Sequence, residues 1–330
     1  MSMAPSTNSG QAAANVVGER VVITAITLAA FGVRLWALDA KGLAYDEAAT
    51  ALMARASPAA IIRFHWEAAF EHPPLWQLLM HGWSLLAGQS EFALRYLPAL
   101  GGVLVIPLIW QLARGVEKAF FSQPTSFAGH FRLPHLSALL AAIFPILVYY
   151  SQEARMYTLV VALALATVWA SKALLIRSGW RPVIYFALLT WLMVGLHYYS
   201  VRLVAAEAVA ALLFLGARRS PPREWVRIGI AFALALAPLA AWMLFAPGFQ
   251  ATIAQVMRGA GDGQPDVFFF LDGLWRDLSF GAIRWAPAQS WLGYWLLPLV
   301  LIGGVGLTAQ ATLALHPSST NTATVKRTGR

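Results

Sequence analysis

Two adjacent carboxylates follow the first apolar run of the chain, in the sequence Tyr45-Asp46-Glu47. A carboxylate within hydrogen-bond distance of a hydroxyl group can take its proton, so Asp46 and Glu47 are candidates for general-base chemistry. An Asp-Glu pair at the start of a helix is also a common cap that interacts favourably with the helix dipole. These residues by themselves leave both interpretations open.

A second polar cluster, "SQEARMY", contains Glu153, Arg155 and Tyr157. A helix running through it would place Glu153 and Tyr157 on one face, four residues apart, with Arg155 turned elsewhere. The planar guanidinium of Arg155 can bind a phosphate group through two parallel hydrogen bonds. A Glu-Arg sequence near a helix start can equally form a plain interfacial salt bridge.

The composition indicates what must position these residues. Of 330 residues, 59% are hydrophobic and only 12% are charged, whereas a soluble domain has about a quarter charged residues. We therefore predict an all-α, polytopic transmembrane bundle. The net charge of +9 does not indicate a nucleic-acid partner, because the basic residues are spread between apolar runs and form no continuous stripe. The absence of cysteine excludes disulfides and thiolate chemistry.

Apolar runs long enough for a bilayer predict about eight spans. They lie near 21–38, 92–113, 135–151, 154–176, 183–200, 202–217, 226–246 and 288–309. The small and polar residues 1–20 are interpreted as a disordered cytoplasmic N-terminus, and residues 310–330 as a disordered tail.

The charges predict how the bundle is oriented. With the N-terminus inside, Lys and Arg concentrate in short inner loops, as the positive-inside rule requires. Most acidic residues then lie outside, among them Asp46, Glu47, Glu71 and Glu153. A transporter is expected to keep ionisable groups at mid-membrane depth, so this distribution favours binding or chemistry at the outer surface.

The outer loop 39–91 is predicted to hold two or three short interfacial helices. Asp46 to Arg55 has good helix formers, and Ser57-Pro58 is typical of a second helix start. The sequence "EHPP" forces an extended turn at His72 before a third helix that ends at Gly88. A His-Pro-Pro sequence alone is usually only a rigid turn.

Several motifs, taken in order, resemble a known family. They are "RLWAL", "YDEA", "EHPPLWQLLMHGWSLLAG", "SEFALRYLPALGGVLVIPLIWQLAR", "YYSQEARMYTL" and "GLHYYS", which together cover about residues 34–200. The chain is similar to bacterial glycosyltransferases related to dolichyl-phosphate-mannose–protein mannosyltransferases and to the lipid A aminoarabinose transferase. These enzymes belong to the membrane-embedded glycosyltransferase C superfamily.

The resemblance implies an enzyme of the cytoplasmic membrane whose active site faces outward. It would transfer a sugar from a polyprenyl-phosphate carrier to a protein, lipid or glycan acceptor, with membrane lipids around it and no nucleic acid. In such families the acidic motif after the first span supplies the catalytic carboxylate. Carried over to this sequence, that residue is Asp46, with Glu47 as its neighbour.

Other residues receive roles that follow from this chemistry. Arg155 is our first choice to meet the leaving phosphate, with Arg95 or Arg202 as second choices. The remaining substrate-binding candidates are Glu153, His72, Tyr157, His197 and Tyr199. His72 could orient the acceptor, or bind a divalent metal with Glu71 or Glu47. No cofactor other than such a metal is expected.

The chain also departs from this family. Its members usually have more spans and often a periplasmic domain, so we expect a truncated or short variant, in which outer loop 247–287 folds over the lipid donor. Two other functions stay open: a transporter or flippase for a lipid or sugar, and a non-catalytic remnant that binds polyprenyl phosphate. Glu207 is the one clear mid-span charge that would favour the transporter.

Overall fold

The structure, a computed structural model, describes residues 8–68, 72–121 and 132–259, and these residues form helices joined by turns. The prediction of an all-α fold is therefore confirmed. In chain order the helices are α1 (Asn8–Leu35), α2 (Tyr45–Ala54), α3 (Pro58–Glu67), α4 (Leu75–Ala87), α5 (Glu91–Phe120), α6 (Leu133–Ile143), α7 (Pro145–Ser151), α8 (Tyr157–Ile176), α9 (Arg181–Leu196), α10 (Val201–Ala217), α11 (Pro222–Phe245) and α12 (Pro247–Gly259), with a 3-10 turn at Tyr198–Ser200.

Five of the described helical segments are long and apolar enough to cross a membrane. They are Val16–Leu35, Glu91–Phe120, Tyr157–Ile176, Tyr198–Ala217 and Pro222–Phe245. Helices α6 and α7, bent by 54° at Phe144, make a sixth if they are counted as one span. The predicted span 183–200 corresponds to α9, which has only 16 residues. The predicted span 288–309, the tail 310–330 and most of loop 247–287 lie outside the described residues.

The chain's first segment differs from the prediction. Helix α1 begins at Asn8, so residues 8–20 of the segment expected to be disordered are helical. The reason is local, because Gln11 and the three alanines after it are good helix formers that lead directly into the apolar run.

The prediction of two or three short helices between residues 39 and 91 is confirmed, because three are present, α2, α3 and α4. The Ser57 hydroxyl accepts a hydrogen bond from the backbone N–H of Ala60, which caps α3, and Pro58 follows as its first residue. Trp76 and Met80 of α4 are buried against residues of α2, α5 and α9. This apolar core supports the turns that carry the polar residues.

Arg34 connects three helices where α6 breaks into α7. Pro145 has no N–H to donate to the carbonyl of Ala141, and the fully buried Arg34 guanidinium donates there instead, at 3.4 Å. It also donates to the Ala142 carbonyl at 3.0 Å and to the Ser151 hydroxyl at 3.1 Å. The bend is thus stabilised by a side chain from α1 rather than by its own backbone.

Helix α5 approaches this junction so closely that only glycine fits at residue 102. A methyl group at Gly102 would lie 2.0 Å from the Ser151 Oγ and 2.9 Å from the Arg34 Nε. We expect Gly102→Ala to reduce the free energy of unfolding by about 1–3 kcal/mol through overpacking. Gly229→Ala, also within a long apolar helix but with nothing within 4 Å, is the matched control. Thermal unfolding in detergent should show a lower midpoint for Gly102→Ala alone; equal midpoints would contradict the close packing.

Candidate functional site

A buried ion pair between Glu47 and Arg95 lies at the centre of the polar cluster. The Arg95 Nε donates to Glu47 Oε1 at 2.8 Å, and Arg95 Nη2 donates to Oε2 at 2.9 Å, with both side chains 0% exposed. The backbone N–H groups of Ala154 and Ala44 donate to the same two oxygens, at 2.8 and 2.9 Å. Each carboxylate oxygen therefore accepts two hydrogen bonds.

The remaining N–H groups of Arg95 hold the turn between α1 and α2. Nη1 donates to the carbonyls of Leu38 and Lys41 at 2.9 and 2.8 Å, and Nη2 donates to that of Gly42 at 2.9 Å. All five guanidinium donors are used within the protein. Arg95 is therefore not available to bind a phosphate, which argues against its role as a second choice to meet the leaving phosphate.

The same contacts keep Glu47 ionised. Burial favours the neutral acid, but hydrogen bonds from Arg95, Ala154 and Ala44 together with the Arg95 charge outweigh it, so the pKa of Glu47 lies below its ordinary value of 4.5. A buried carboxylate with all acceptor positions filled cannot reach a substrate. The geometry supports a positioning role for Glu47, whereas the sequence suggested that it shares the catalytic role of Asp46.

Asp46, one residue earlier, has the opposite environment. Its side chain is 61% exposed, because consecutive residues of a helix point in directions about 100° apart. The Asp46 Oδ2 lies 3.7 Å from Arg155 Nη2, close enough for charge attraction but beyond hydrogen-bond distance. The Asp46 carboxylate therefore keeps acceptor capacity for a substrate hydroxyl.

Arg155 lies in the irregular segment between α7 and α8, not on a helix. Because α8 begins only at Tyr157, the prediction that Glu153 and Tyr157 share a helical face is wrong. The physical reason is that the Ala154 N–H bonds to Glu47 and the Arg155 N–H bonds to the Glu153 carbonyl at 2.7 Å, so neither follows the helical pattern. Glu153 instead forms a 2.6 Å salt bridge with Lys41.

The Arg155 guanidinium is buried among aromatic and histidine side chains. Its Nη2 donates to His72 Nε2 at 3.0 Å and to the Tyr157 hydroxyl at 3.4 Å. Its Nε is buried and has no hydrogen-bond partner among the described residues. A desolvated guanidinium with an unused donor is well suited to bind an anion near Asp46.

Burial and the Arg155 charge disfavour the protonated form of both histidines of this cluster. Burial, then the nearby His197 and the Arg155 charge, lower the pKa of His72 to about 3. Since arginine can only donate, His72 Nε2 must accept and His72 carries its proton on Nδ1. Burial and Arg155 also lower the pKa of His197, whose Nδ1 accepts from the Tyr199 N–H at 3.2 Å. The two rings are 4.9 Å apart.

An apolar groove of about 550 Å³ leads away from this cluster, between α7, α8 and the 3-10 turn. One end is formed by three of the predicted substrate-binding residues, Tyr157, His197 and Tyr199. Tyr157 contacts Arg155, and His197 contacts His72. The rest is mainly apolar, lined by Phe144, Ile146, Leu147, Val160 and Val161. Arg202 stacks on Tyr199 at 4.6 Å and is exposed at the rim of this groove.

The metal prediction finds little support in the part of the chain that the structure describes. No group of three or more metal-ligating side chains occurs there. Glu47 is fully used by Arg95 and backbone N–H groups, and His72 Nε2 accepts from Arg155. The third candidate, Glu71, lies outside the described residues.

The sequence predicted most residues of the site, but it did not predict the roles of Arg95 and Lys41. The structure gathers Asp46, His72, Arg155, Tyr157 and His197 at one end of the long helices. An arginine inside an apolar run, as Arg95 is in "SEFALRYLP", could have been recognised as one that needs a buried partner. No sequence signal indicated the Lys41–Glu153 contact.

The chain matches no protein-family model, no curated protein and no solved structure.

Removing the Glu47 charge should destabilise the protein. In Glu47→Gln, Arg95 remains buried without a counter-charge, and the new amide N–H₂ faces other donors, so we expect a loss of about 3–5 kcal/mol in the free energy of unfolding. The exposed neighbour provides the control, because Asp46→Asn should leave the thermal midpoint in detergent unchanged. Equal midpoints for Glu47→Gln and the unaltered protein would contradict the central role of the ion pair.

The difference between the unaltered protein and Glu47→Gln should depend on pH. The pKa of Glu47 is lowered on folding, so its contribution is complete above its ordinary pKa of 4.5 and is lost as the pH falls through the lower folded value. Thermal midpoints measured from neutral pH downward should differ by a constant amount until about pH 4.5, then converge. A difference that already shrinks between pH 7 and pH 5 would show that another group is responsible.

Proposed function

We propose that this chain is an integral-membrane glycosyltransferase that moves a sugar from a polyprenyl-phosphate donor to an acceptor hydroxyl. The observation that carries the proposal is the pairing of an exposed carboxylate, Asp46, with a buried guanidinium, Arg155, which contacts Tyr157 in the lining of an apolar groove. The apolar tail of such a donor would lie in the groove, its phosphate would contact Arg155, and its sugar would lie beside Asp46.

The proposed reaction is a single inverting displacement. Asp46 accepts the proton of the acceptor hydroxyl as its oxygen forms a bond to the anomeric carbon of the sugar. The bond from that carbon to the phosphate oxygen breaks, and its electron pair leaves with the polyprenyl phosphate. General-base catalysis of this kind contributes about 10²–10⁴-fold to the rate. The acceptor oxygen attacks the face of the sugar opposite to the leaving phosphate, so the exposed Asp46 side chain, which lies 3.7 Å from Arg155 in the structure, moves away from it when the donor binds between them.

Arg155 stabilises the charge that develops on the leaving phosphate. A donor that is already buried and oriented needs no reorganisation when this charge appears. His72 supports this role because its neutral Nε2 accepts from Arg155 without competing for the phosphate. Tyr157, His197 and Tyr199 form the wall along which the first isoprene units would lie.

The proposal includes the finer topology inferred from the sequence. We propose about eight spans in the cytoplasmic membrane, with the Asp46 end of the helices facing outward. The clustering of the site at one end of α8 and α9 supports an interfacial site. The acceptor class, whether protein, lipid or glycan, stays open within this proposal.

Loss of the proposed base should abolish most of the transfer. We expect Asp46→Asn to reduce turnover by about 10²–10⁴-fold, measured in proteoliposomes with labelled polyprenyl-phosphate sugars and mixed acceptors. The thermal midpoint should be unchanged because Asp46 is exposed. Asp39→Asn, which removes another exposed outer carboxylate, is the matched control. Equal turnover for Asp46→Asn and the unaltered protein would leave Asp46 as only part of the helix start.

Loss of the proposed phosphate contact should affect the chemical step. We expect Arg155→Gln to lower kcat by about 10²-fold or more, with a smaller change in KM for the donor, because the interaction strengthens in the transition state. Arg155→Lys should restore part of the rate, since it keeps the charge but lacks the planar fork. Arg63→Gln, which removes an exposed arginine of α3 that pairs with Glu67, is the control. A rise in KM alone would make Arg155 only a binding residue.

A further inference from the structure

A second concave polar surface lies at the opposite end of the long helices, where α8 and α10 end and α9 and α11 begin. It has a volume of about 730 Å³, within the range of small-molecule sites. We call it the basic cleft, because four arginines and one carboxylate, Glu224, line it. The arginines are Arg177, Arg218, Arg223 and Arg227. Helix α8, with 20 residues, separates it from the Arg155 site by about 30 Å.

The arginines of the basic cleft have few partners of their own. Within the described ranges, none of the four forms an ion pair with a carboxylate, although Glu224 is in the same lining. Arg227 donates through Nη2 to the Leu174 carbonyl at 2.8 Å, which fixes its guanidinium. Its Nη1 is buried and finds no hydrogen-bond partner among these residues. A half-buried guanidinium that is fixed in this way and has an unused donor has the properties of an anion site.

The edges of the basic cleft are apolar. Ile176 and Val226 line it and are 57% and 62% exposed. Two exposed tryptophans lie nearby: Trp180 lines the cleft, and Trp225 is in the first turn of α11. Such aromatic side chains are common at the level of lipid headgroups. A soluble anion would gain nothing from these apolar edges, whereas a lipid could place its phosphate on the arginines and its first methylene groups against Ile176 and Val226.

We propose that the basic cleft binds the phosphate headgroup of an anionic membrane phospholipid, at the face opposite the Arg155 site. Arg223 and Arg227, one helical turn apart at the start of α11, are the main phosphate contacts. The lipid bridges the ends of α8 and α11 and reduces the repulsion among the four arginines. This site is independent of the proposed transferase reaction and does not require it.

The arrangement of arginines at one end of the helices has a simpler explanation, namely that they only orient the protein in the membrane. That explanation predicts an effect of overall charge, in which any arginine at this end is equivalent to any other. A cleft predicts a saturable, headgroup-specific effect that depends on Arg223 and Arg227. The two can be separated by a titration.

The test uses the purified full chain, delipidated in neutral detergent, with thermal unfolding as the readout. Short-chain phosphatidylglycerol should raise the midpoint saturably, and phosphatidylcholine, with the same chains, should not. Inorganic phosphate alone should have at most a weak effect.

The Arg223→Gln/Arg227→Gln double variant should bind phosphatidylglycerol at least about tenfold more weakly, because charge-assisted contacts are lost. The single variant Arg223→Gln removes no described hydrogen bond and serves if the double variant is unstable.

Arg20→Gln, which removes an exposed arginine at the same end of the helices but outside the basic cleft, is the matched control. It should leave the phosphatidylglycerol midpoint shift intact. An equal reduction in Arg20→Gln and Arg223→Gln would overturn the proposal in favour of overall charge. Equal shifts with phosphatidylglycerol and phosphatidylcholine would overturn it as well. A full effect of inorganic phosphate, with nothing added by the lipid chains, would replace the lipid by a soluble phosphate.

Discussion

The buried ion pair between Glu47 and Arg95 is the contact on which the polar end of this bundle depends. Removing both charges from water costs several kcal/mol per ion, and the cost is offset only if every donor and acceptor is satisfied. Here the two side chains make five contacts to backbone groups in addition to their own two hydrogen bonds. Those backbone groups belong to the turn before α2 and to the segment before α8, so one ion pair fixes both.

Fixing these two segments positions Asp46 and Arg155 relative to each other. Asp46 follows the turn that Arg95 holds, and Arg155 follows Ala154, whose N–H binds Glu47. The exposed carboxylate and the buried guanidinium are therefore separated by a distance that the ion pair sets, without a direct hydrogen bond between them. Because the two groups attract each other without a hydrogen bond, the Asp46 carboxylate keeps its acceptor positions and Arg155 keeps its unused Nε donor.

The charged side chains at the two ends of the long helices have different kinds of partners. At the Asp46 end, the fully buried Glu47 and Arg95 pair with each other and are satisfied by backbone groups. At the end opposite, the pattern is mixed: Arg132 pairs with Glu19 and Glu117 where α1, α5 and α6 meet, whereas the arginines of the basic cleft have no such partners among the described residues. Because the arginines of the basic cleft, unlike Arg132, have no carboxylate partner among the described residues, we regard the cleft as a binding site and not only as a set of charges that orients the protein in the membrane.

Composition and local patterns were sufficient to predict an all-helical membrane protein, the three short helices between residues 39 and 91 and the group of polar residues around Asp46. Such features depend on hydrophobicity, caps and proline, which act over a few residues. Tertiary structure alone decided which carboxylate is buried, that Arg155 lies on an irregular segment and that Arg95 is structural. Two of the Glu47 partners, Arg95 and Ala154, are 48 and 107 residues away along the chain, and contacts at that separation leave no local pattern in the sequence.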